Sequence, residues 1–285
     1  MRDGARVVLT YRLRRPRGQH PDRGYENRIA VSEDGLHFTD VVRLRKADLG
    51  STSIERTALV RATDGTWVWL VSYVDPADGR WRLDEIRADT LEGLATGTRS
   101  KVFTAKDFDG EGVKDPHVVR TPEGFFLILS CVGKPPEATD DKSMHGTNDV
   151  YNTGLAPLFN ALATSADGKA WTWRGPCFVP VPGSWDGYQA RIGCVLPAGP
   201  IWVGLYDGSA SVEENYEERL GVCVSPDLMH WQRISTEGPV VQTGKSGSVR
   251  YADVLPCDDG LWVYFECSRP DGAHELRRSL LRWKV

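Results

Sequence analysis

The stretch Ala163–Trp171, with the sequence ATSADGKAW, decides the fold because the chain repeats its pattern twice more. The pattern is a small residue, any residue, serine, any residue and aspartate, with an aromatic residue six positions after the serine. The other copies are Ala30–Phe38 (AVSEDGLHF) and Cys223–Trp231 (CVSPDLMHW). An Asp-Gly pair favours a tight turn between strands, because glycine adopts a positive φ freely. The copies therefore predict a repeated β-unit.

A second pattern, an apolar run followed by a turn and an aromatic-rich strand, occurs four times. Its copies are Ala58–Val60 with Asp64–Leu70, His117–Val119 with Glu123–Leu129, Cys194–Leu196 with Gly199–Val203, and Asp253–Leu255 with Asp259–Tyr264. The residues that open these units are Glu55, Asp115, Gln189 and Tyr251, at spacings of 60, 74 and 62 residues. Helical periodicity is nearly absent, and the segments are short and rich in β-branched and aromatic residues.

Four complete units and one partial unit make five. The partial unit is at the N-terminus, where Asp3–Leu9 matches the turn and second strand of the pattern, so the first sheet should have fewer strands or borrow one from Leu276–Trp283. Radial repetition of four-stranded sheets is how a propeller protects its strand edges. We therefore predict an all-β fold, a five-bladed β-propeller, with residues 1–285 as a single domain. A β-sandwich with accidental repeats is the weaker alternative, because both patterns recur in matching order.

Composition and charge narrow the possible partners. The chain has 35 basic and 39 acidic residues, a formal net charge of −4, which argues against a nucleic-acid platform. No apolar stretch approaches the roughly 18 residues that a membrane helix needs, and the first residues lack the features of a signal peptide. We therefore expect a cytoplasmic protein that binds neither nucleic acid nor membrane, with its six cysteines reduced.

The candidate site follows from the predicted fold, because the innermost strands of a propeller begin around one central funnel. The polar residues that open those strands are Glu55, Arg56, Asp115, His117, Gln189, Arg191, Arg250 and Tyr251. Asp207 and Glu266 interrupt apolar runs at the ends of second strands, and a carboxylate buried there needs partners. These carboxylates, arginines, histidine and tyrosine suit a hydroxyl-rich ligand that is uncharged or anionic.

The unit Lys114–Val119 (KDPHVV), followed by Gly124 and an aromatic strand, resembles the Asp-Pro blade opening of five-bladed glycoside hydrolases of families 43 and 32. The resemblance implies three catalytic carboxylates, of which the middle aspartate matches Asp115. The family's acid glutamate is expected where this chain has Gln189, and its base on a first inner strand that the chain lacks. A glycosidase needs one protonated and one ionised carboxyl group beside the scissile bond.

The replacement candidates for the missing carboxyl groups are Glu55, Asp207 and Glu266. We expect an ionised Asp115 beside Arg56 or Arg191, and a proton donor that is Glu266 or, second, Glu55. The alternative for Glu55 is a plain ion pair with Arg56 or Arg191.

Two other residues also have purely structural interpretations. Asp207 before Gly208 is equally a turn aspartate, and His117 is more simply a hydrogen-bonded strand histidine. Neither interpretation is excluded by the sequence.

These observations favour an enzyme that cleaves a small glycoside or oligosaccharide. Two alternatives stay open: a propeller that binds sugar without hydrolysing it, and a lyase or isomerase that moves a proton with Tyr251 or His117. The sequence contains no phosphate-binding loop, no dinucleotide fingerprint and no metal-ligand spacing of its histidines, so we predict no cofactor and no metal, with a structural divalent ion in the central channel left open as the alternative.

Overall fold

The computed structural model describes residues 1–16, 23–241 and 248–283 of the chain and contains five small antiparallel sheets. Each sheet is made of strands that follow one another in the sequence, so each repeat unit forms its own sheet. The five sheets are the blades of a five-bladed β-propeller, and the predicted fold class is confirmed.

The first two sheets are each hydrogen bonded in sequence order. Sheet 1 contains β1 (Arg2–Asp3), β2 (Arg6–Arg14), β3 (Gly24–Ser32) and β4 (Thr39–Arg45). Sheet 2 contains β5 (Ala58–Arg61), β6 (Trp67–Val74), β7 (Trp81–Ala88) and β8 (Thr98–Phe103).

The remaining sheets follow the same order. Sheet 3 contains β9 (Gly112–Thr121), β10 (Gly124–Val132), β11 (Leu158–Ser165) and β12 (Thr172–Phe178). Sheet 4 contains β13 (Gln189–Ala198), β14 (Ile201–Ser209), β15 (Arg219–Ser225) and β16 (Gln232–Arg233). Sheet 5 contains β17 (Val249–Cys257), β18 (Gly260–Ser268) and β19 (His274–Arg282).

Helical structure in the described residues is limited to short segments. The α-helix is α1 (Asp141–His145), and the 3-10 turns are Lys46–Leu49, Glu92–Ala95, Ala105–Phe108, Val150–Asn152 and Val212–Glu214. No helix among the described residues has the length and apolar character that crossing a bilayer requires.

The chain divides into two compact units. The described residues of Met1–Arg15, Gln19–Ala156 and Ala161–Gly175 belong to the first unit, and those of Pro16–Gly18, Pro157–Asn160 and Pro176–Val285 to the second. The first unit thus contains sheets 1 and 2, and the second contains sheets 4 and 5. The assignment of residues 1–285 to a single domain stays a prediction.

The strand count of the first sheet differs from the prediction. Sheet 1 has four strands, although its innermost strand is only Arg2–Asp3, which pairs with the start of β2. The three-stranded sheet is the last one, and β19 pairs with β18 within that sheet. The expectation of a first sheet short of strands was therefore wrong, because two residues before the Gly4 turn suffice to form the inner strand.

The predicted turns follow the third strands of their sheets. In the copies at Ser32, Ser165 and Ser225, the serine Oγ accepts a hydrogen bond from the backbone N–H three residues later at 2.8–2.9 Å. That third residue has a φ between 66° and 80°, and it is glycine in two copies and Leu228 in the other. The serine and the left-handed residue together close each turn and fix where the fourth strand begins.

Burial explains why β6 is so apolar. All eight residues of β6 are buried, because this strand is central in its sheet and both of its faces are covered. Trp69 and Val71 pack with Val8 and Ile29 of sheet 1 in one core cluster. Burying a side chain of this size contributes roughly 1.5–3 kcal/mol, so the core holds the inner strands firmly.

A bulge recurs near the start of the inner strands. Lys114 pairs with Ser130 and His117 with Ile128, so two residues of β9 lie opposite one of β10. In β17, Arg250 pairs with Glu266 and Asp253 with Tyr264, which gives the same excess of one residue. The residue after each cation, Asp115 or Tyr251, has a φ of 54° or 50°. Such bulges redirect side chains and are frequent beside active sites.

Candidate active site

One position repeats three residues before the apolar runs, at the bulges of β9, β13 and β17 and just before β5. The apolar runs start at Ala58, His117, Cys194 and Asp253. The residues three positions before these starts are Glu55, Lys114, Arg191 and Arg250. Their neighbours on the second strands are Ser72, Ser130, Asp207 and Glu266 respectively. All four of these residues are buried, with 2–7% of their surface exposed. A buried charge needs an opposite charge or several hydrogen bonds, so this position generates ion-pair clusters.

This register corrects the predicted equivalence of the opening residues. Asp115 and Tyr251 do occupy equivalent bulge positions, but Ile192, not Gln189, is their counterpart in β13. Gln189 is instead the first residue of that strand. The error arose from the spacing itself: Gln189 lies five residues before Cys194, where its apolar run starts, whereas Asp115 and Tyr251 lie only two residues before His117 and Asp253.

The first cluster lies in the first unit around Glu55. Both carboxylate oxygens of Glu55 have cationic partners, since Oε2 accepts from Arg12 and Oε1 accepts from Lys114 at 3.5 Å. The backbone is also held, because Asn27 donates to the carbonyl of Glu55 at 3.0 Å and Glu55 N–H donates to the Ser72 carbonyl at 2.9 Å. Two cations favour the ionised form of this carboxylate.

Lys114 lies between aromatic rings as well as beside Glu55. Its Nζ is 4.0 Å from the ring centre of Tyr151 and 4.9 Å from that of Trp81, within the range of a cation–π contact. Asp149 binds Arg23 and accepts from Trp81 Nε1 at 3.3 Å. Burial raises the pKa of Asp149, but the charges of Lys114 and Arg23 outweigh it, so this pKa is lowered.

Three further predicted residues belong to the first unit. Asp115 is 1% exposed, and its backbone N–H donates to Ser72 Oγ at 3.2 Å. Arg56 is half-buried, next to Glu55, and His117 is half-buried on β9 opposite Ile128. The expectation that Asp115 is ionised beside an arginine stays a prediction.

The second cluster lies in the second unit and is organised by Arg250, which is 2% exposed. Its Nη1 donates to Glu218 Oε2 at 2.6 Å, while its Nη2 and Nε donate to Glu266 Oε1 at 2.7 and 3.1 Å. The side chain of Glu218 is 2% exposed and that of Glu266 is 22% exposed. One guanidinium therefore joins a sealed carboxylate to an accessible one.

Arg191 forms the other half of the second cluster. Its Nη2 donates to Asp207 Oδ2 at 2.9 Å and lies 3.8 Å from Glu218 Oε1. Gln189 donates to the same Glu218 oxygen at 3.3 Å. The second oxygen of Asp207 accepts the backbone N–H of Tyr251 at 2.9 Å, so Asp207 holds the bulge in place.

The two buried carboxyl groups of this cluster differ in pKa. For Asp207, burial and the nearby charge of Glu218 raise the pKa, although Arg191 opposes them. For Glu218, burial also acts to raise the pKa, but Arg250 and Arg191 outweigh it and lower the pKa to about 2. Glu218 is therefore held ionised between the two guanidinium groups.

Tyr251 forms the half-buried edge of the second cluster. The guanidinium carbons of Arg191 and Arg250 lie 4.2 and 5.1 Å from its ring centre. Its positive φ of 50° is uncommon for a residue with a side chain, and the bond from its N–H to Asp207 maintains it. Arg250 also lies 5.8 Å from the ring of Tyr216. Two tyrosine rings and Glu266 are thus the accessible groups around a buried ionic centre.

The structure brings together, within the second unit, five of the predicted residues: Gln189, Arg191, Asp207, Arg250 and Glu266, with Tyr251 at their edge. Glu55 does pair with cations, but its described partners are Arg12 and Lys114. Glu218, which binds Arg250 and Gln189, was not among the predicted site residues. It lies just before β15 in an acidic loop (EENYEER, residues 213–219), where nothing in the pattern distinguishes it from its neighbours.

Metal-binding groups are not evident in the described parts of the chain. Across residues 1–16, 23–241 and 248–283, no three His, Cys, Asp or Glu side chains form a group that could hold a metal ion.

Sequence comparisons find no match: no protein-family model fits the chain, and a search of curated proteins finds no similar sequence. Solved structures do share its fold. A glycoside hydrolase superposes with a TM-score of 0.72 at 14% identity, over 100% of this chain and 87% of that one. An α-L-arabinofuranosidase from Lactobacillus brevis gives 0.65 at 15% identity, over 98% and 88%.

A third similar structure is a β-1,2-mannobiose phosphorylase from Listeria innocua, in complex with β-1,2-mannobiose. It gives a TM-score of 0.58 at 16% identity, over 90% of this chain and 67% of that one. The predicted resemblance to propeller glycoside hydrolases is therefore confirmed at the level of fold. The chain shares the five-bladed β-propeller fold of enzymes that cleave glycosidic bonds.

Proposed function

We propose that this protein is an enzyme that cleaves a glycosidic bond, with the second cluster supplying the proton donor. The observation that carries the proposal is the bridge through Arg250, which joins the sealed Glu218 to the accessible Glu266. Glycoside cleavage needs a positioned carboxyl group that reaches the leaving oxygen. Similar folds in a glycoside hydrolase and a mannobiose phosphorylase support a sugar substrate.

Glu266 is the proton donor in this proposal because accessibility separates it from its neighbours. Its side chain is 22% exposed, whereas those of Asp207 and Glu218 are 2% exposed. A general acid must come within hydrogen-bond reach of the oxygen that it protonates.

Asp207 and Glu218 are positioning residues in this proposal. Asp207 uses one oxygen for Arg191 and the other for the backbone of Tyr251. Glu218 is fixed between Arg250 and Gln189. Their role is to keep Arg191, Arg250 and the ring of Tyr251 in place, and the ring offers an apolar face against which a sugar can stack.

The catalytic roles of Glu55 and Asp115 stay predictions. The two cations on Glu55 favour an ionised carboxylate, which suits a base or nucleophile better than a donor. Asp115 would stabilise positive charge at the anomeric carbon.

Aryl glycosides with good and poor leaving groups test the donor directly. We expect Glu266→Gln to lower kcat on the poor leaving group by about 100-fold or more, because only that oxygen needs protonation. The loss on the activated substrate should be at least tenfold smaller. Substrates are assayed with and without inorganic phosphate, since one enzyme of this fold is a phosphorylase.

The matched control is Glu275→Gln, which removes a glutamate that binds Arg269 and Arg277 at the surface of the same unit. This variant should retain wild-type kinetics on both substrates. If Glu266→Gln and Glu55→Gln both lack the leaving-group difference, and Asp115→Ala leaves turnover unchanged, the glycosidase proposal is wrong. Sugar binding without turnover in the wild-type protein would instead favour a binding propeller.

A further inference from the structure

Sheet 5 ends at its third strand, β19, whereas each of the other sheets has a fourth strand. The third strands of those sheets, β3, β7, β11 and β15, each contain four to six buried residues. None of the nine residues of β19 is buried. Among the described residues, the outer side of β19 is therefore an open sheet edge, whose backbone groups can pair with another strand.

The open edge exposes apolar side chains. Leu276 and Leu281 of β19 are 50% and 57% exposed. The exposed residues of the edge strands β4 and β8 are instead threonine, serine, arginine or lysine. Polar side chains protect a sheet edge from association, whereas exposed leucines favour pairing with a further strand.

The charges of β19 decide whether the same strand of a second copy fits this edge. When two identical strands pair antiparallel about a two-fold axis, opposed residues lie on the same face, so their residue numbers differ by an even number. Registers centred on Glu275, Arg277 or Arg278 place a charge against its own copy, which is unfavourable. The register centred on Leu276 avoids these contacts.

The register centred on Leu276 also opposes complementary side chains. The two Leu276 side chains meet at the axis, and Glu275 of each copy lies opposite Arg277 of the other. Apolar pairs and opposite charges directly across an antiparallel pair stabilise it. Within its own chain Glu275 accepts from Arg277 at 2.6 Å and from Arg269 at 3.0 Å, so the second copy extends an existing network of ion pairs.

The remaining pair in this register is His274 opposite Arg278. Burial lowers the pKa of His274, as does the charge of Arg250, so the ring is neutral at pH 7 and does not repel a guanidinium. Arg278 is held against its own sheet, with its guanidinium carbon 4.9 Å from the ring centre of Trp262. No like charges are thus opposed in the pairing of residues 274–278 with their copies.

We propose that β19 pairs antiparallel with β19 of a second copy of this chain, about a two-fold axis at Leu276. The contact joins two three-stranded sheets into one sheet of six strands. It covers Leu276 and lays Leu281 of each copy beside the turn between β18 and β19 of the other. A contact of five residues a side is small, so the dimer should dissociate on dilution and dilute protein should be monomeric. The proposal does not depend on the proposed function.

Sedimentation equilibrium over a range of protein concentrations tests the dimer. The wild-type protein should show an equilibrium between monomer and dimer. Arg277→Glu should raise the dissociation constant by about tenfold or more, because two attractive pairs become repulsive. Combining Glu275→Arg with Arg277→Glu exchanges the charges and should restore the wild-type constant. A wild-type protein that is monomeric at every concentration would refute the proposal and leave the edge to a different partner.

The matched control is Arg282→Glu, which makes the same change of charge on the same strand. Arg282 lies outside the five opposed pairs, so this variant should have the dissociation constant of the wild type. If Arg282→Glu and Arg277→Glu weaken the dimer alike, the strands do not meet in this register and the proposal is wrong.

Disulfide cross-linking tests the register without changing any charge. Directly opposed Cα atoms of an antiparallel pair are about 4.5–5.5 Å apart, a distance that a disulfide spans. Leu276→Cys should therefore give a covalent dimer under mild oxidation. Ser279→Cys, three residues along the same strand, should not, and neither should the wild type with its native cysteines. A covalent dimer through Ser279→Cys instead would place the axis elsewhere and overturn the proposal.

Discussion

At the scale of single residues, the ionic centre of the second unit is a chain of alternating charges. Asp207, Arg191, Glu218, Arg250 and Glu266 follow one another with N···O distances between 2.6 and 3.8 Å. Burying charges in this way costs free energy that their mutual attraction only roughly offsets. The chain of charges fixes the positions of Arg250 and Glu266, and a catalytic group needs a fixed position.

Loss of one buried charge from this chain should be severe. We expect Glu218→Gln to lower the free energy of unfolding at pH 7 by about 3 kcal/mol, because Arg250 loses a buried anionic partner. Urea denaturation followed by tryptophan fluorescence measures the change. The surface variant Glu275→Gln should unfold at the urea concentration of the wild type. If Glu218→Gln also unfolded at the urea concentration of the wild type, Glu266 alone would be enough to neutralise Arg250.

At the scale of elements, the turn that starts each second strand depends on its glycine. Gly260 joins β17 to β18 with a φ of 154°, and a Cβ built there would be 1.9 Å from the carbonyl oxygen of Leu281 on β19. Gly199 makes the corresponding turn between β13 and β14 with a φ of 64°, where a Cβ would meet no atom within 4 Å. Glycine is thus needed at position 260 because β19 lies close to it, and at position 199 only because the backbone is left-handed there.

We expect Gly260→Ala to destabilise the protein by about 3 kcal/mol or more, since backbone strain and a clash with β19 add together. Gly199→Ala should cost about 1 kcal/mol, because only the left-handed conformation is penalised. Thermal unfolding of both variants gives the comparison. Equal losses would mean that β19 moves away from β18 without a penalty.

At the scale of the whole molecule, the repeated patterns predicted the fold correctly, whereas the spacing of the opening residues did not identify the equivalent positions on the inner strands. Four complete units and one partial unit of the second pattern predicted five sheets, and turns such as the one at Ser165 repeat because they are closed by local hydrogen bonds that their own residues specify. The predicted equivalence of Gln189 and Asp115 was wrong, because Gln189 lies five residues before the apolar run of its strand and Asp115 only two before its own. Glu218 was missed because its partners come from β13 and β17, and pairing across strands leaves no local pattern.

The buried charge of Glu218 should dominate the pH dependence of the stability of the whole protein. Burial acts to raise the pKa of Glu218, but Arg250 and Arg191 lower it to about 2, below the 4.5 of an ordinary glutamate. A lowered folded-state pKa contributes stability that is complete above pH 4.5 and is lost as the pH falls toward 2. The raised pKa of Asp207 acts in the opposite sense, since its contribution is present at low pH and lost as the pH rises.

The difference in unfolding free energy between wild type and Glu218→Gln should therefore depend on pH. We expect about 3 kcal/mol near pH 7, constant down to about pH 5, and a steady decrease as the pH approaches the Glu218 pKa of about 2, below which both proteins carry an uncharged side chain at this position. Urea denaturation at intervals between pH 2 and 7 measures it, with Glu275→Gln as the reference variant whose difference from wild type stays small throughout. A difference that is the same at pH 3 and pH 7 would mean that Glu218 is not held ionised by the two arginines, and that packing rather than charge accounts for its place in the cluster.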